Sequence, residues 1–73
     1  MTQSEMVLNH LRYKGAITPM DALTQYGIMR LGARIYDLKH QGINISRTLE
    51  YGTNRNGDPT HWARYAIMEG DGV

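Results

Sequence analysis

Between residues 30 and 64 the chain spaces six basic side chains, Arg30, Arg34, Lys39, Arg47, Arg55 and Arg64, with only Asp37, Glu50 and Asp58 to oppose them. Tyr36 and His40 stand among them as further hydrogen-bond donors. A guanidinium presents a rigid fork of donors that matches a phosphate or the major-groove edge of guanine, so this pattern suits anion and nucleic-acid contacts. The segment carries a net +3, against zero over residues 1–29 and −2 over the last nine, which returns the whole chain to +1. Catalytic patterns are missing by contrast. There is no cysteine, His10, His40 and His61 are too widely spaced for a local metal motif, and no nucleophile sits beside a base. The expectation is a binding protein, not an enzyme, without metal or cofactor. With 73 residues and 8.3 kDa there is room for one small core, and 41% apolar residues suffice to form it. The longest unbroken apolar stretch is only residues 65–68, which excludes a membrane span. The N-terminus lacks a basic flank and an apolar run, so a cytoplasmic location is expected.

Those side chains need elements to carry them. Thr2 followed by Glu5 is a capping-box pattern, and Val7, Leu8 and Leu11 recur at helical spacing before Gly15, which predicts a first helix over residues 3–14. Ala16 and Ile17 form a short extended link. Thr18, Pro19 and Asp21 give a cap, a first-turn proline and an acidic third position, so a second helix starts at Pro19 with Ala22, Leu23 and Tyr26 inward and stops at Gly27. Leu31, Ile35 and Leu38 define the inner stripe of a third helix over residues 29–41, with Gly42 after it. The period then changes to two. Ile43, Ile45, Leu49 and Tyr51 share one side of a strand, and Ala63, Tyr65 and Ile67 share one side of a second over residues 61–68. Residues 52–60, with Asn56-Gly57 and Asp58-Pro59, read as a long, mobile hairpin tip. The domain is expected over residues 1–68, with a flexible tail over 69–73.

Helix, short extended piece, two helices joined at a glycine, then a hairpin is the order of a winged helix-turn-helix. The fold class expected is α+β, mainly α, with three helices and a C-terminal two-stranded β-hairpin. Burying Leu31, Ile35 and Leu38 turns Met29, Ala33, Tyr36, Asp37 and His40 outward on the third helix, with Arg30 and Arg34 on one flank and Gly32 and Lys39 on the other. Arg30 is the first candidate for a bidentate base or phosphate contact. Arg34 suits either a base or an ion pair with Asp37 or Asp21, and Ala33 is small enough for close approach to a thymine methyl. Tyr36, Lys39 and His40 offer donors to phosphates. Arg55, between glycines at the hairpin tip, suits a minor-groove or backbone contact. Arg47 marks a bulge or the exposed end of the inward strand face, and Arg64 points opposite Tyr65, so both are candidates for one basic side. Trp62 and Tyr51 suit either a base-stacking platform or the core, the core being the expectation.

The runs Ala16-Ile17-Thr18, Tyr26-Gly27-Ile28 and Arg30-Leu31-Gly32-Ala33-Arg34-Ile35-Tyr36-Asp37-Leu38, with Gly42, resemble the small phage and prophage helix-turn-helix family over residues 3–68. The resemblance implies a winged-helix fold and double-stranded DNA as the partner. It further implies a role in a phage or mobile element, as a transcription regulator or an excisionase-like architectural factor. Met29 departs from the pattern, standing where such domains often carry a Ser or Thr cap for the third helix. A domain this small covers little DNA, so a homodimer or cooperative array is expected. The alternative is a protein-interaction module, a phage-encoded inhibitor or adaptor of a host complex. Tyr36, Tyr51, Trp62 and Met29 would then be exposed together.

Overall fold

A computed structural model describes residues 1–68; the tail expected over residues 69–73 lies outside them. The elements are α1 (Gln3–Lys14), β1 (Ala16–Ile17), α2 (Pro19–Tyr26), α3 (Leu31–His40), β2 (Ile45–Thr53) and β3 (Pro59–Ile67). The expected capping box forms at α1, and the cap and acidic third position expected at α2 form a second one. The Thr2 hydroxyl accepts from Glu5 N–H while Glu5 Oε1 accepts from Thr2 N–H, and Thr18 and Asp21 repeat the exchange at α2. Each exchange satisfies two of the amides that a helix start leaves without intrahelical partners. Gly27, at φ 69°, ends α2 in the left-handed region, and its N–H reaches back to Leu23 O at 2.9 Å. A side chain there would be strained, so α2 stops after 8 residues.

The third helix is shorter than residues 29–41. It starts at Leu31, with Arg30 as its N-cap in a non-helical conformation and no side-chain cap bond. Neither Met29 nor Arg30 has an oxygen placed to cap α3, so the chain must turn through both before helical bonding begins.

The expectation of a two-stranded hairpin on a mainly helical body is corrected by β1. Its two residues pair antiparallel with β3, Ala16 opposite Ala66 and Ile17 opposite Tyr65, giving a three-stranded sheet in the order β1-β3-β2. Helices of 12, 8 and 10 residues thus stand beside strands of 2, 9 and 9. Backbone groups in the short link need partners, and the base of the hairpin supplies them. Ile17 is drawn completely inside by this pairing. It joins Val7 and Leu11 of α1, Ala22 of α2, Ile28, Leu31, Ile35 and Leu38, and Ile45 of β2 in one core. Burying each large aliphatic side chain contributes about 1.5–3 kcal/mol relative to leaving it in water. Leu23, expected inward, is 47% exposed, because a helix of barely two turns turns only Ala22 fully to the core.

The hairpin leaves the body as it lengthens. Along its inward-alternating side, exposure rises from 5% at Ile45 to 42% at Leu49 and 75% at Tyr51. The expected placement of Tyr51 and Trp62 in the core is therefore wrong: Tyr51 lies on the core side of the sheet but beyond the packed body, Trp62 lies on the opposite side, and neither belongs to the core. The long tip is also corrected. Pairing continues to Thr53 opposite Pro59, so only residues 54–58 form the turn. Asn54 locks it, its Oδ1 accepting from Asn56 N–H at 2.9 Å and Asp58 N–H at 3.0 Å, while its own N–H donates to Asp58 O at 2.9 Å.

Candidate nucleic-acid interface

Burial of Leu31, Ile35 and Leu38 fixes the orientation of α3 about its axis. Tyr36 and His40 lie on the far side, exposed, with Ala33 half-buried beside them on the same side. The two rings are one turn apart and stack with centroids 4.2 Å apart and planes at 54°. Gly32 and Lys39, seven residues apart, share the flank that faces the sheet. A Cβ added at Gly32 would sit 3.9 Å from the Tyr65 hydroxyl, which identifies that flank as the one against β3.

The other flank faces α1. Arg34 Nη2 lies 3.3 Å from Asp37 Oδ2, and Ser4 of α1 donates its hydroxyl to the same oxygen at 3.3 Å. Of the alternatives open for Arg34, base contact or ion pair, the structure shows the ion pair with Asp37. At this partial exposure the pair contributes about 0.2–1 kcal/mol, enough to orient the guanidinium against the body. Arg30 precedes the helix and is exposed.

The register of the hairpin sorts the remaining arginines. Arg47 stands opposite Tyr65, on the sheet face that carries Ile45, Ile67 and the contact with α3. Arg64 stands opposite Thr48, on the other face, where its Nε lies 3.5 Å from Glu50 Oε2. The two arginines therefore do not line one basic side, because an odd number of residues along a strand reverses the face. The same alternation separates Tyr51, opposite His61, from Trp62, opposite Glu50. They form no common stacking platform, and the aromatic patch expected of Tyr36, Tyr51, Trp62 and Met29 is divided between faces. Arg55 sits in the turn at the far end, exposed. Lys39 thus lies on the flank of α3 toward the sheet and Arg47 on the sheet face that meets α3, while Arg55 lies beyond both in the turn at the hairpin tip. None of them has an ion-pair partner among the described residues.

Two arrangements escaped sequence reasoning. His10 is 5% exposed in the helical core, its Nδ1 2.7 Å from the Tyr26 hydroxyl. Its place between Val7 and Leu11 on the inner stripe of α1 was the available signal. The second is Trp62, whose Nε1 donates to Glu50 Oε1 at 2.8 Å and whose ring lies across β2 at Gly52. A Cβ at Gly52 would come within 3.0 and 3.2 Å of that ring.

Among the described residues no group of His, Cys, Asp or Glu side chains is placed to hold a metal ion, and no helix is long and apolar enough to cross a membrane. A family model described as a winged helix-turn-helix domain matches residues 2–70. No curated protein and no solved structure matches the chain.

Proposed function

Since the chain belongs to the winged helix-turn-helix domain family, a fold that supports double-stranded DNA binding, we propose that it binds such DNA with sequence preference through α3 and the hairpin. One observation carries the proposal: the outward side of α3, bearing Ala33, Tyr36 and His40, is flanked by Lys39 and by Arg47 on the adjoining sheet face, with Arg55 beyond at the hairpin tip, and none of these three cations has an ion-pair partner among the described residues. A helix fits a major groove about 12 Å wide, and a basic hairpin beside it reaches the flanking backbone or minor groove. In this reading Ala33 approaches base edges, Tyr36 and His40 present donors as one stacked unit, and Arg30 contacts a base or phosphate where the helix enters the groove. Lys39, Arg47 and Arg55 contact phosphates. Arg34, engaged by Asp37, stands at the margin of the surface and Arg64, engaged by Glu50, stands on the other face of the sheet, and neither takes a phosphate of its own.

Domains of this kind are typically binders and not enzymes, and no catalytic role is proposed. The biological role favoured is transcription regulation or excisionase-like DNA architecture in a phage or mobile element, acting in the cytoplasm. Copies would bind as a dimer or cooperative array, because one short helix and one hairpin cover few base pairs. Selection from a random duplex library tests the reading. The expected result is an enriched motif whose information drops at one position for Arg30→Ala, with a loss of about 1–3 kcal/mol on the preferred site. Equal binding to every sequence, before and after the substitution, overturns sequence preference.

A further inference from the structure

One edge of the sheet is only partly covered. Met68 N–H donates to Asn44 O and Asn54 N–H donates to Asp58 O, and both contacts continue the β2–β3 register. Neighbouring residues of a strand turn their N–H and C=O groups to opposite sides. Even-numbered residues from 58 to 68 therefore direct theirs to β2, while His61, Ala63 and Tyr65 direct theirs away from it. β1 meets Tyr65 through Ile17 and then stops, because Thr18 and Pro19 begin α2. Among the described residues, the N–H and C=O groups of His61 and Ala63 have no neighbouring strand.

A groove of about 710 Å³ lies beside that edge, on the opposite side of the sheet from α3. The start of α2, through Pro19 and Met20, forms one wall, and Trp62 and the hairpin tip form the other. Trp62 is held ready: Gly52 admits its ring against β2, and Glu50 fixes its indole N–H. Met20, 65% exposed, faces the same space. The charged groups are unequal. Asp21 is bonded to Thr18 N–H, and Glu50 to Trp62 and Arg64, whereas Arg55 has no ion-pair partner among the described residues. An occupant would find apolar walls, backbone partners on one side and an uncompensated cation at the tip.

We propose that this groove binds an extended peptide segment of a partner protein, which adds a strand to β3 at His61 and Ala63. An apolar side chain of the segment lies between Trp62 and Met20, and an acidic one meets Arg55. The wall formed by α2 selects a single strand over a second copy of the chain, since two copies meeting edge to edge would bring α2 against α2. A partner so bound sits away from α3, and it shares only Arg55 with the proposed DNA surface.

The test is a random heptapeptide library displayed on phage and selected against the whole chain, followed by titration of a synthetic enriched peptide. The expected peptides share an apolar and an acidic position, change Trp62 fluorescence and move the amide resonances of His61 and Ala63 most. Met20→Asp should weaken binding about tenfold or more with DNA affinity unchanged. Ala63→Pro, which removes an edge donor that takes no part in the β2 pairing, should do the same. If that variant does not fold, Met20→Asp decides alone. Failure to enrich any peptide, resonance changes centred on α3, binding insensitive to Met20→Asp, or self-association through the β3 edge each overturns the proposal.

Discussion

The ion-pairing pattern makes a quantitative statement about salt. Of the six basic residues between 30 and 64, Arg34 and Arg64 pair with Asp37 and Glu50, while Arg30, Lys39, Arg47 and Arg55 have no ion-pair partner among the described residues. If each of these four displaces the counterions of one phosphate, log affinity falls with log salt at a slope of about −3.6. Between 50 and 200 mM salt that is a loss of about 150-fold. Arg55→Ala removes one contact at an exposed turn whose geometry is set by Asn54, so the slope should ease to about −2.7 without change in folding. Arg64→Ala removes the same formal charge from the other sheet face and should leave the slope at its original value. The assay is fluorescence anisotropy of a labelled duplex titrated at several salt concentrations, with both variants beside the unmodified chain. Equal reductions in slope for Arg55→Ala and Arg64→Ala would refute the reasoning, since sheet face and ion pairing would then not decide which arginines meet phosphate. A slope near zero would remove the DNA surface altogether.

Three further outcomes concern how the scaffold holds that surface. Tyr26→Phe leaves the buried His10 Nδ1 without its partner at 2.7 Å, which should cost about 1–3 kcal/mol in urea unfolding; a change within about 0.3 kcal/mol would show that the bond contributes nothing. Gly52→Ala sets a gain of about 0.5–1 kcal/mol from a stiffer strand against overpacking of about 1–3 kcal/mol where the Cβ meets the Trp62 ring. Because Glu50 pins that ring, the net effect should be destabilisation with altered Trp62 fluorescence, and an unchanged emission spectrum with raised stability would contradict it. The Thr2 backbone N–H, and then its hydroxyl, hold the Glu5 carboxyl below the ordinary carboxylate value. A lowered folded value means that this contribution to α1 is present above the unfolded carboxyl's titration and is lost as pH falls through the folded one. A carbon-detected NMR titration should show Glu5 titrating below the usual range and the first turn of α1 fraying with it. Titration in the usual range would dismiss the capping box as the cause.

Local features of this chain were legible without coordinates because their causes are local. The boxes at Thr2 and Thr18, the stops at Gly15 and Gly27 and the stripe of Leu31, Ile35 and Leu38 each depend on residues within one or two turns. The outward face of α3 followed from that stripe by geometry alone. The start of α3 was not legible, since aliphatic spacing marks a face and not a first residue, and neither Met29 nor Arg30 carries a capping oxygen.

What sequence alone determined was therefore which segments coil, which extend and which side chains share a face. Tertiary structure decided where those faces meet. Pairing of two link residues with β3 created the third strand, and strand register placed Arg47 beside α3 and Arg64 behind the sheet. Separation of Arg34 from the outward face came from Asp37 and from Ser4, thirty-three residues away. Contacts across such distances carry no periodic signal, because their partners are chosen by packing after the elements have formed, and the basic surface of this protein is selected at that step.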